Sequence, residues 1–352
     1  MTTQTMSASR ADGLGAPPQE VAAAAADVRA LLAIHEQGIV WHCITAITRL
    51  RVPDELVGGP RPVADLATAV GADEDALYRV LRLLSDHGVV TLDGDRVALT
   101  DRGRLLADAH PVSIRGVFAA AGIPDIAHAL TETLRTGRAA APAVFGTSFW
   151  EYLAARPAEQ ALFDAEMKQL ARLVLMPAVP RLPWPSSGTI ADIGGGIGTL
   201  IAAALRAAPG TRGILVDQPQ VVEQAPGFLA SMGVADRCEI HPGDLVTPPP
   251  PADLYLISRV LHNWGDEQVV RIFEAIGASA TAETRLWVLE GLLPEDGSPH
   301  RTKWSDITML ALLDGARERS LGEFKALLER AGWRFERVVD TPGVSVIEAR
   351  RA

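Results

Sequence analysis

The sequence predicts an α/β protein: a Rossmann-like domain on a mostly parallel sheet with helices on both faces, preceded by a smaller, mostly α winged-helix domain. Three observations carry that expectation. From about residue 189, short apolar strands alternate with helical segments, the pattern of a parallel sheet whose ligand sits at the carboxyl ends of its strands. The first of those strands runs straight into a glycine cluster, Gly194-Gly195-Gly196-Ile197-Gly198, and then into a helix. Residues 62–107 read as helix, turn, helix and hairpin, the order of a winged helix. With 352 residues, 48% of them hydrophobic and 22% charged, the chain has apolar material for about two domains of roughly 150 residues each.

Residues 1–20 are polar, contain Ser, Gly and Pro, and show no periodicity, so a disordered tail is expected. The first domain is expected over residues 21–110. It opens with Val28, Leu31, Leu32 and Ile34, then Ile39, Val40, Ile44, Ile47 and Leu50, at helical spacing with a break near Gly38. So apolar a surface calls for another part of the fold or a second subunit. The winged helix places helices at 63–70 and 74–87. Asp93-Gly94-Asp95 then joins strands at 89–91 and 96–99, Asp-Gly between β-branched runs being a strong hairpin signal. Such a domain can read DNA, but the charge has the wrong sign. Between Arg61 and Asp108 six arginines face nine acids, and the whole chain carries −10. Packing or dimerisation is the expected role, with no nucleic acid as partner.

A second helical block is expected over 111–188, closing in a proline-rich stretch from 176. Phe145, Phe149, Trp150 and Tyr152, then Phe163 and Met167, form either an acceptor pocket or an ordinary core stripe. The catalytic domain follows at 189–352, with strands at 189–193, 213–216, 238–240, 254–257 and 286–290 and a final pair near 333–339 and 344–348. Cys43 and Cys238 lie far apart without CxxC spacing, which argues against a zinc ribbon or a disulfide framework. No stretch reaches ~18 uninterrupted apolar residues and the start lacks a basic region before an apolar run, so a cytoplasmic protein without membrane contact is expected.

The glycine cluster carries the sharpest chemistry. A dinucleotide fingerprint counted from Gly194 needs a glycine where Thr199 stands, and no Gly-Lys-Ser/Thr follows to make a P-loop. Asp192, two residues before the first glycine, suits a cofactor with a cationic ammonium, which points to S-adenosylmethionine. Asp217 closes the next strand, where a carboxylate can accept both ribose hydroxyl protons. Asp244, in Pro242-Gly243-Asp244-Leu245, could accept from an adenine amino group. Each acid alone is more often a cap or turn residue, but acids at three successive strand ends are harder to dismiss.

From about residue 25 to the C-terminus the chain resembles the class I S-adenosylmethionine-dependent O-methyltransferases with a winged-helix dimerisation domain. That family includes plant caffeate and acetylserotonin methyltransferases and actinobacterial tailoring enzymes. The resemblance rests on Asp192-Ile-Gly-Gly-Gly-Ile-Gly198, Asp217-Gln218-Pro, Gly243-Asp244, Leu261-His262-Asn263-Trp264-Gly265-Asp266, Asp306-Ile-Thr-Met-Leu310 and Glu318-Arg-Ser-Leu-Gly-Glu323-Phe. It implies that His262 is the catalytic base, flanked by Glu290 and Glu318. It further implies cofactor contacts from Asp192, Gly194, Gly196, Asp217, Gln218, Gly243, Asp244, Leu245, Ser258, Arg259 and Trp264. Acceptor contacts are implied from Phe149, Trp150, Phe163, Met167, Asn263, Asp306, Met309 and Leu313. Asn263 stands where many members carry Asp, Ser258 where plant members carry Lys, and Leu245 where Phe is common; none of these removes a catalytic group.

Read without the resemblance, His262 follows an apolar strand and falls at the carboxyl edge of the sheet, where a core histidine with both nitrogens satisfied is the plainer reading. Glu318 opens the segment before a helix at 322–331, where its plainer role is a macrodipole partner. His262 with two acids could also bind a metal. A donor that is already a cation needs no Lewis acid, so no metal is expected. The function expected is methylation of a phenolic hydroxyl on an aromatic small molecule of polyketide type. S-adenosyl-L-homocysteine would be the product, in a homodimer joined through the N-terminal domain. The rival is a winged-helix regulator whose methyltransferase-like domain binds a metabolite without turnover.

Overall fold

The computed structural model describes residues 18–120 and 122–352 and divides into two units, the first ending at Ala109 and the second spanning His110–Ala352. The expected tail lies almost wholly outside the described residues. The first helix, Pro18–Arg49, runs unbroken through Gly38. The expected break is absent because glycine reaches helical dihedrals freely and costs only about 1 kcal/mol against alanine in a helix interior. Val40 and Ile47 of this helix are buried, whereas Leu31 and Ile34 are 69% and 70% exposed. The part from Ala24 to Arg49 is long and apolar enough to cross a membrane by length and composition alone.

Helices Val63–Val70 and Glu74–Asp86 follow as the spacing predicts, the second capped by Asp73, whose side chain accepts from Ala76 N at 2.9 Å. Strands β2 (Val90–Asp93) and β3 (Arg96–Leu99) form the hairpin, and β1 (Arg61–Pro62) adds an antiparallel edge to β3. Two residues, one of them proline, carry no periodicity, so β1 was not legible in the sequence.

In the second unit seven strands form one sheet: β4 (Gly188–Ile193), β5 (Thr211–Asp217), β6 (Cys238–Pro242), β7 (Leu254–Ser258), β8 (Arg285–Glu290), β11 (Trp333–Asp340) and β12 (Ser345–Arg351). Their order is β11-β12-β8-β7-β4-β5-β6, with β6, β5, β4, β7 and β8 parallel and β12 antiparallel to both its neighbours. Both faces are covered, as nearly continuous apolar runs such as Leu254–Ile257 require. One core holds Leu200, Ile201 and Leu205 of helix Thr199–Ala207 with Trp287 and Leu289, and the other holds Phe273 and Ile276 of helix Asp266–Ala278 with Phe324 and Trp333.

From β4 the chain order moves one way to β5 and the other way to β7, so the crevice beyond the carboxyl end of β4 is the topological switch point where such sheets bind ligands. The block at 111–188, set apart in the sequence, belongs to this same unit. Val174, Leu175, Val179 and Leu182 close the first core, and Phe149 and Leu153 share a cluster with Ala311 and Leu312. Its apolar residues complete cores that elements after residue 188 supply.

Candidate active site

Where β7 ends, Arg259 takes a left-handed φ of 54°, a conformation that costs a non-glycine residue roughly 1–2 kcal/mol. The chain then enters a 3-10 turn, Leu261–Asn263, which carries His262. Glu290 ends β8 beside it. Two short strands, β9 (Leu292–Leu293) and β10 (Arg319–Ser320), pair in parallel and bring Glu318 alongside Glu290.

His262, Glu290 and Glu318 are all buried, with exposures of 6%, 1% and 4%. Glu290 Oε1 accepts from Val260 N and Leu261 N, both at 2.9 Å. Its Oε2 lies 3.0 Å from His262 Nδ1 and has no other partner. Glu318 Oε1 lies 3.5 Å from the same nitrogen and accepts from Ser305 Oγ at 2.6 Å, while Glu318 N donates to Asp306 Oδ1 at 2.9 Å. The two acids differ in consequence. Burial pushes the Glu290 carboxyl up, but the His262 side chain, Arg259 and the Leu261 N–H together bring it below its ordinary value. At Glu318 burial prevails, helped by the Glu290 charge, over His262 and Ser305, and the carboxyl is raised. Two carboxylates facing Nδ1 assign the proton to that nitrogen, which leaves Nε2 as the basic one. The plainer role expected of Glu318 falls to Glu323 instead, which forms a capping box with Ser320 on helix Leu321–Arg330.

The ligand atoms of these three side chains lie within 4.8 Å of one another, so by spacing alone they could also close on a metal ion.

The glycine loop sits at the switch point. Gly194, Gly196 and Gly198 have φ of 69°, 63° and 93°, which a side chain would strain. A Cβ on Gly196 would meet nothing within 4 Å, so that face of the loop is open to a ligand. Asp217 Oδ2 accepts from Gly196 N and Oδ1 from Gln218 N, both at 2.7 Å, and Gly243 N donates to Asp217 O at 2.9 Å. A carboxylate offers about four acceptor sites, so Asp217 keeps capacity for a ligand. Its carboxyl is raised by burial, against the two N–H bonds.

Asp192 stands behind the loop rather than on its open face. It is fully buried, with Oδ2 accepting from Ile201 N at 3.2 Å and Oδ1 unpartnered, and a Cβ on Gly195 would come within 2.7 Å of its Cγ. Burial raises its carboxyl to about 7. Direct contact with a ligand's ammonium is therefore not the geometry seen; Asp192 supports the backbone that would make it. Asp244 is exposed, and its Oδ1 accepts from Val246 N and Thr247 N at 2.9 and 2.7 Å, the turn role that its spacing allowed. Leu245 and Val260 side chains abut Gly194, and Ser258 Oγ is buried without a hydrogen-bond partner among the described residues. An open glycine face, spare acceptor sites on Asp217 and an orphaned hydroxyl fit a bound nucleoside cofactor.

On the acceptor side, Phe149, Trp150 and Phe163 form a triangle with ring centroids 5.5, 5.6 and 5.7 Å apart. Phe149 is core, 2% exposed, whereas Trp150 is 45% exposed. Leu313 and Phe163 pack on the same cluster. Met167 lies one turn beyond Phe163, next to Glu166, a carboxyl that burial raises to about 7 against the nearby charge of Arg259. Asn263, Asp306 and Met309 are half-buried, Asp306 through its bond to Glu318 N. Trp264 is 36% exposed.

Two residues not singled out in the sequence belong here: Ser305, beside Asp306, and Arg319, beside Glu318. Arg319 is 1% exposed and donates to Leu261 O, Trp264 O and Asp266. Ser305 adjoins one quoted motif and Arg319 stands inside another, but nothing in a serine or an arginine alone tells which way its side chain turns.

The chain matches the family models for the O-methyltransferase dimerisation domain over residues 36–109 and the O-methyltransferase domain over 127–334. It is 40% identical over 317 residues to the mitomycin biosynthesis 6-O-methyltransferase of Streptomyces lavendulae, covering 88% of this chain and 90% of that one. Among solved structures it is similar to the mitomycin 7-O-methyltransferase MmcR, with a TM-score of 0.86, 38% identity and coverage of 94% and 100%. The O-methyltransferase NcsB1 of neocarzinostatin biosynthesis, in complex with S-adenosylmethionine and 2-hydroxy-5-methyl naphthoic acid, gives a TM-score of 0.78 at 30% identity, covering 89% and 96%.

Proposed function

The chain belongs to the S-adenosylmethionine-dependent O-methyltransferases with an N-terminal dimerisation domain, and from that premise we propose that His262 is the base that takes the proton from a phenolic hydroxyl of a polyketide-type aromatic acceptor. The observation that carries this reading is the His262 Nδ1 position, 3.0 and 3.5 Å from two buried carboxylates that can hold the ring and offset its positive charge. Bound S-adenosylmethionine supplies an electrophilic methyl group on a sulfonium and leaves as S-adenosyl-L-homocysteine. Asp217 would accept from its ribose hydroxyls, and the backbone of Gly194 and Gly196, braced by Asp192, would let its amino-acid end approach. Gln218, Gly243, Asp244 and Leu245 would border the adenosine, while Ser258, Arg259 and Trp264 would complete the wall. Phe149 supports Trp150 and Phe163 from the core, and these, with Met167, Asn263, Asp306, Met309 and Leu313, enclose the acceptor.

No metal takes part in this account, because Glu290 is committed to Nδ1 and two backbone N–H groups, Glu318 to Nδ1 and Ser305 Oγ, and the methyl donor is already a cation. The N-terminal unit is a dimerisation domain, and its exposed Leu31 and Ile34 side of the first helix is read as subunit contact rather than membrane surface. The acidic winged helix supports no role in binding nucleic acid, and the two free cysteines are in keeping with the cytoplasm. The test is incubation with S-adenosylmethionine and a panel of phenols, naphthols and hydroxyquinones, read as the mass gained by one methyl group. Turnover on at least one supports the reading. Tight acceptor binding without a methylated product from any of them would favour the regulator instead.

A further inference from the structure

We infer that Arg319 is a positioning residue for methyl transfer, a clamp that fixes the loop carrying His262 to the short strand that follows Glu318. The inference rests on the reading of His262 as the base. The Arg319 side chain is wholly buried; Nη1 donates to Leu261 O at 3.0 Å and Nη2 to Trp264 O at 2.7 Å, while Nε and Nη2 donate to Asp266 Oδ1 at 2.9 and 2.8 Å. The two carbonyls stand on either side of His262 and Asn263. Arg317 N donates to the carbonyl of His262 itself at 2.9 Å, so the loop is bonded to the residues before and after Glu318. A buried guanidinium is costly unless its donors are used, and here its rigid fork spans three acceptors that a lysine ammonium could not hold together.

The two acids depend on this clamp unequally. Glu290 is tied to the loop directly, through the N–H groups of Val260 and Leu261. Glu318 has no bond of its own to the loop backbone among those described, and its longer 3.5 Å contact with Nδ1 is kept by the position of β10. Loosening the clamp therefore separates Glu318 from His262 first.

The test is a double-mutant cycle in the full-length enzyme with Arg319→Lys and Glu318→Gln, reading kcat, acceptor KM, S-adenosylmethionine affinity and the pH profile. Arg319→Lys should lower kcat by about 10- to 30-fold, with acceptor KM and cofactor affinity within about 3-fold, and move the acid limb of the kcat profile to lower pH. Added to Glu318→Gln it should cost almost nothing more. Should Arg319→Lys fail to fold, Asp266→Asn keeps an oxygen acceptor while removing the counter-charge. It should cost about 3- to 10-fold in kcat, again without additivity. Additive losses, an unchanged kcat, or losses shared equally by KM and cofactor affinity would overturn the clamp. His262→Ala distinguishes the two claims. Undiminished turnover there removes the base reading, whereas a crippled His262→Ala beside additive Arg319 and Glu318 losses removes the clamp alone.

Discussion

Replacing Glu290 by glutamine removes the charge and, because the amide oxygen is held by Val260 N and Leu261 N, turns the amide NH2 toward Nδ1, so the acceptor of the Nδ1 proton goes with the charge. A reference phenol near ~10 and a reference imidazole near ~6.5 differ by about 3.5 units, so the proton transfer starts roughly 4.8 kcal/mol uphill. A carboxylate 3.0 Å from Nδ1 offsets this by about 5.5 kcal/mol, gross, in an effective dielectric of ~20. Desolvation of a pair this buried returns part of that gain. If about half survives, Glu290→Gln lowers the rate of methyl transfer on the order of 10²-fold, with cofactor affinity changed by less than about 2-fold. Glu318→Gln should cost less, because its carboxyl is farther, at 3.5 Å, and raised by burial. The assay is single-turnover transfer from saturating S-adenosylmethionine to a series of phenols of falling pKa. The loss should shrink as the medium, rather than His262, ionises the acceptor. An undiminished rate, or an equal loss for a phenol near ~10 and one near ~6, would refute the electrostatic argument.

Three further outcomes follow from the same geometry. Asp217→Ala removes the acceptor of Gly196 N and Gln218 N along with its spare sites, and at roughly 1.5–3 kcal/mol per charged hydrogen bond it should weaken S-adenosylmethionine binding about 10²-fold by calorimetry; unchanged affinity would count against this loop as the cofactor site. Asp192 binds its proton up to about 7 when folded against an ordinary 3.8, so the folded state holds more protons between those values and stability falls as pH rises through them, then levels off. Asp192→Asn keeps the bond to Ile201 N and should gain stability over wild type from pH 5 to pH 8, on the order of 4 kcal/mol at the upper end, by urea denaturation; parallel curves would contradict it. Leu31→Asp with Ile34→Asp places charges on two largely exposed apolar positions and should raise the dimer dissociation constant by at least about 10²-fold in sedimentation, since each buried side chain is worth roughly 1.5–3 kcal/mol.

The elements that define the fold were legible because their signals are local. Periodicity located the winged-helix helices, and the β4 strand with its glycine turn placed the switch point within a residue or two. The resemblance to the family implied that Glu290 and Glu318 flank His262, and the structure sets the three within contact distance. What remained hidden depends on direction and long-range pairing. Asp192 read as a ligand-facing acid, yet its side chain turns under the loop toward Ile201 N. Gly38 read as a break, yet glycine is compatible with helix when neighbouring residues favour it. The aromatic run from Phe145 to Met167 read as either pocket or core stripe, and spacing did not tell that Phe149 would be a core side chain and Trp150, its neighbour, the exposed one. Arg319 and Ser305 act across 13 to 58 residues of sequence, a separation at which no pattern in one chain reports a hydrogen bond.

The central claim is that His262 Nε2 removes the acceptor's proton, with Glu290 and Glu318 offsetting the charge it gains while the rest of the site binds and orients. It is tested most directly by His262→Ala, assayed for methyl transfer to a phenol that stays protonated at neutral pH, with S-adenosylmethionine affinity measured on the same preparation. The account predicts turnover lower by on the order of 10²–10⁴ with cofactor affinity nearly unchanged, and a deficit that narrows as pH approaches the acceptor's own ionisation. Undiminished turnover on that phenol would contradict it and leave an enzyme that works by proximity alone.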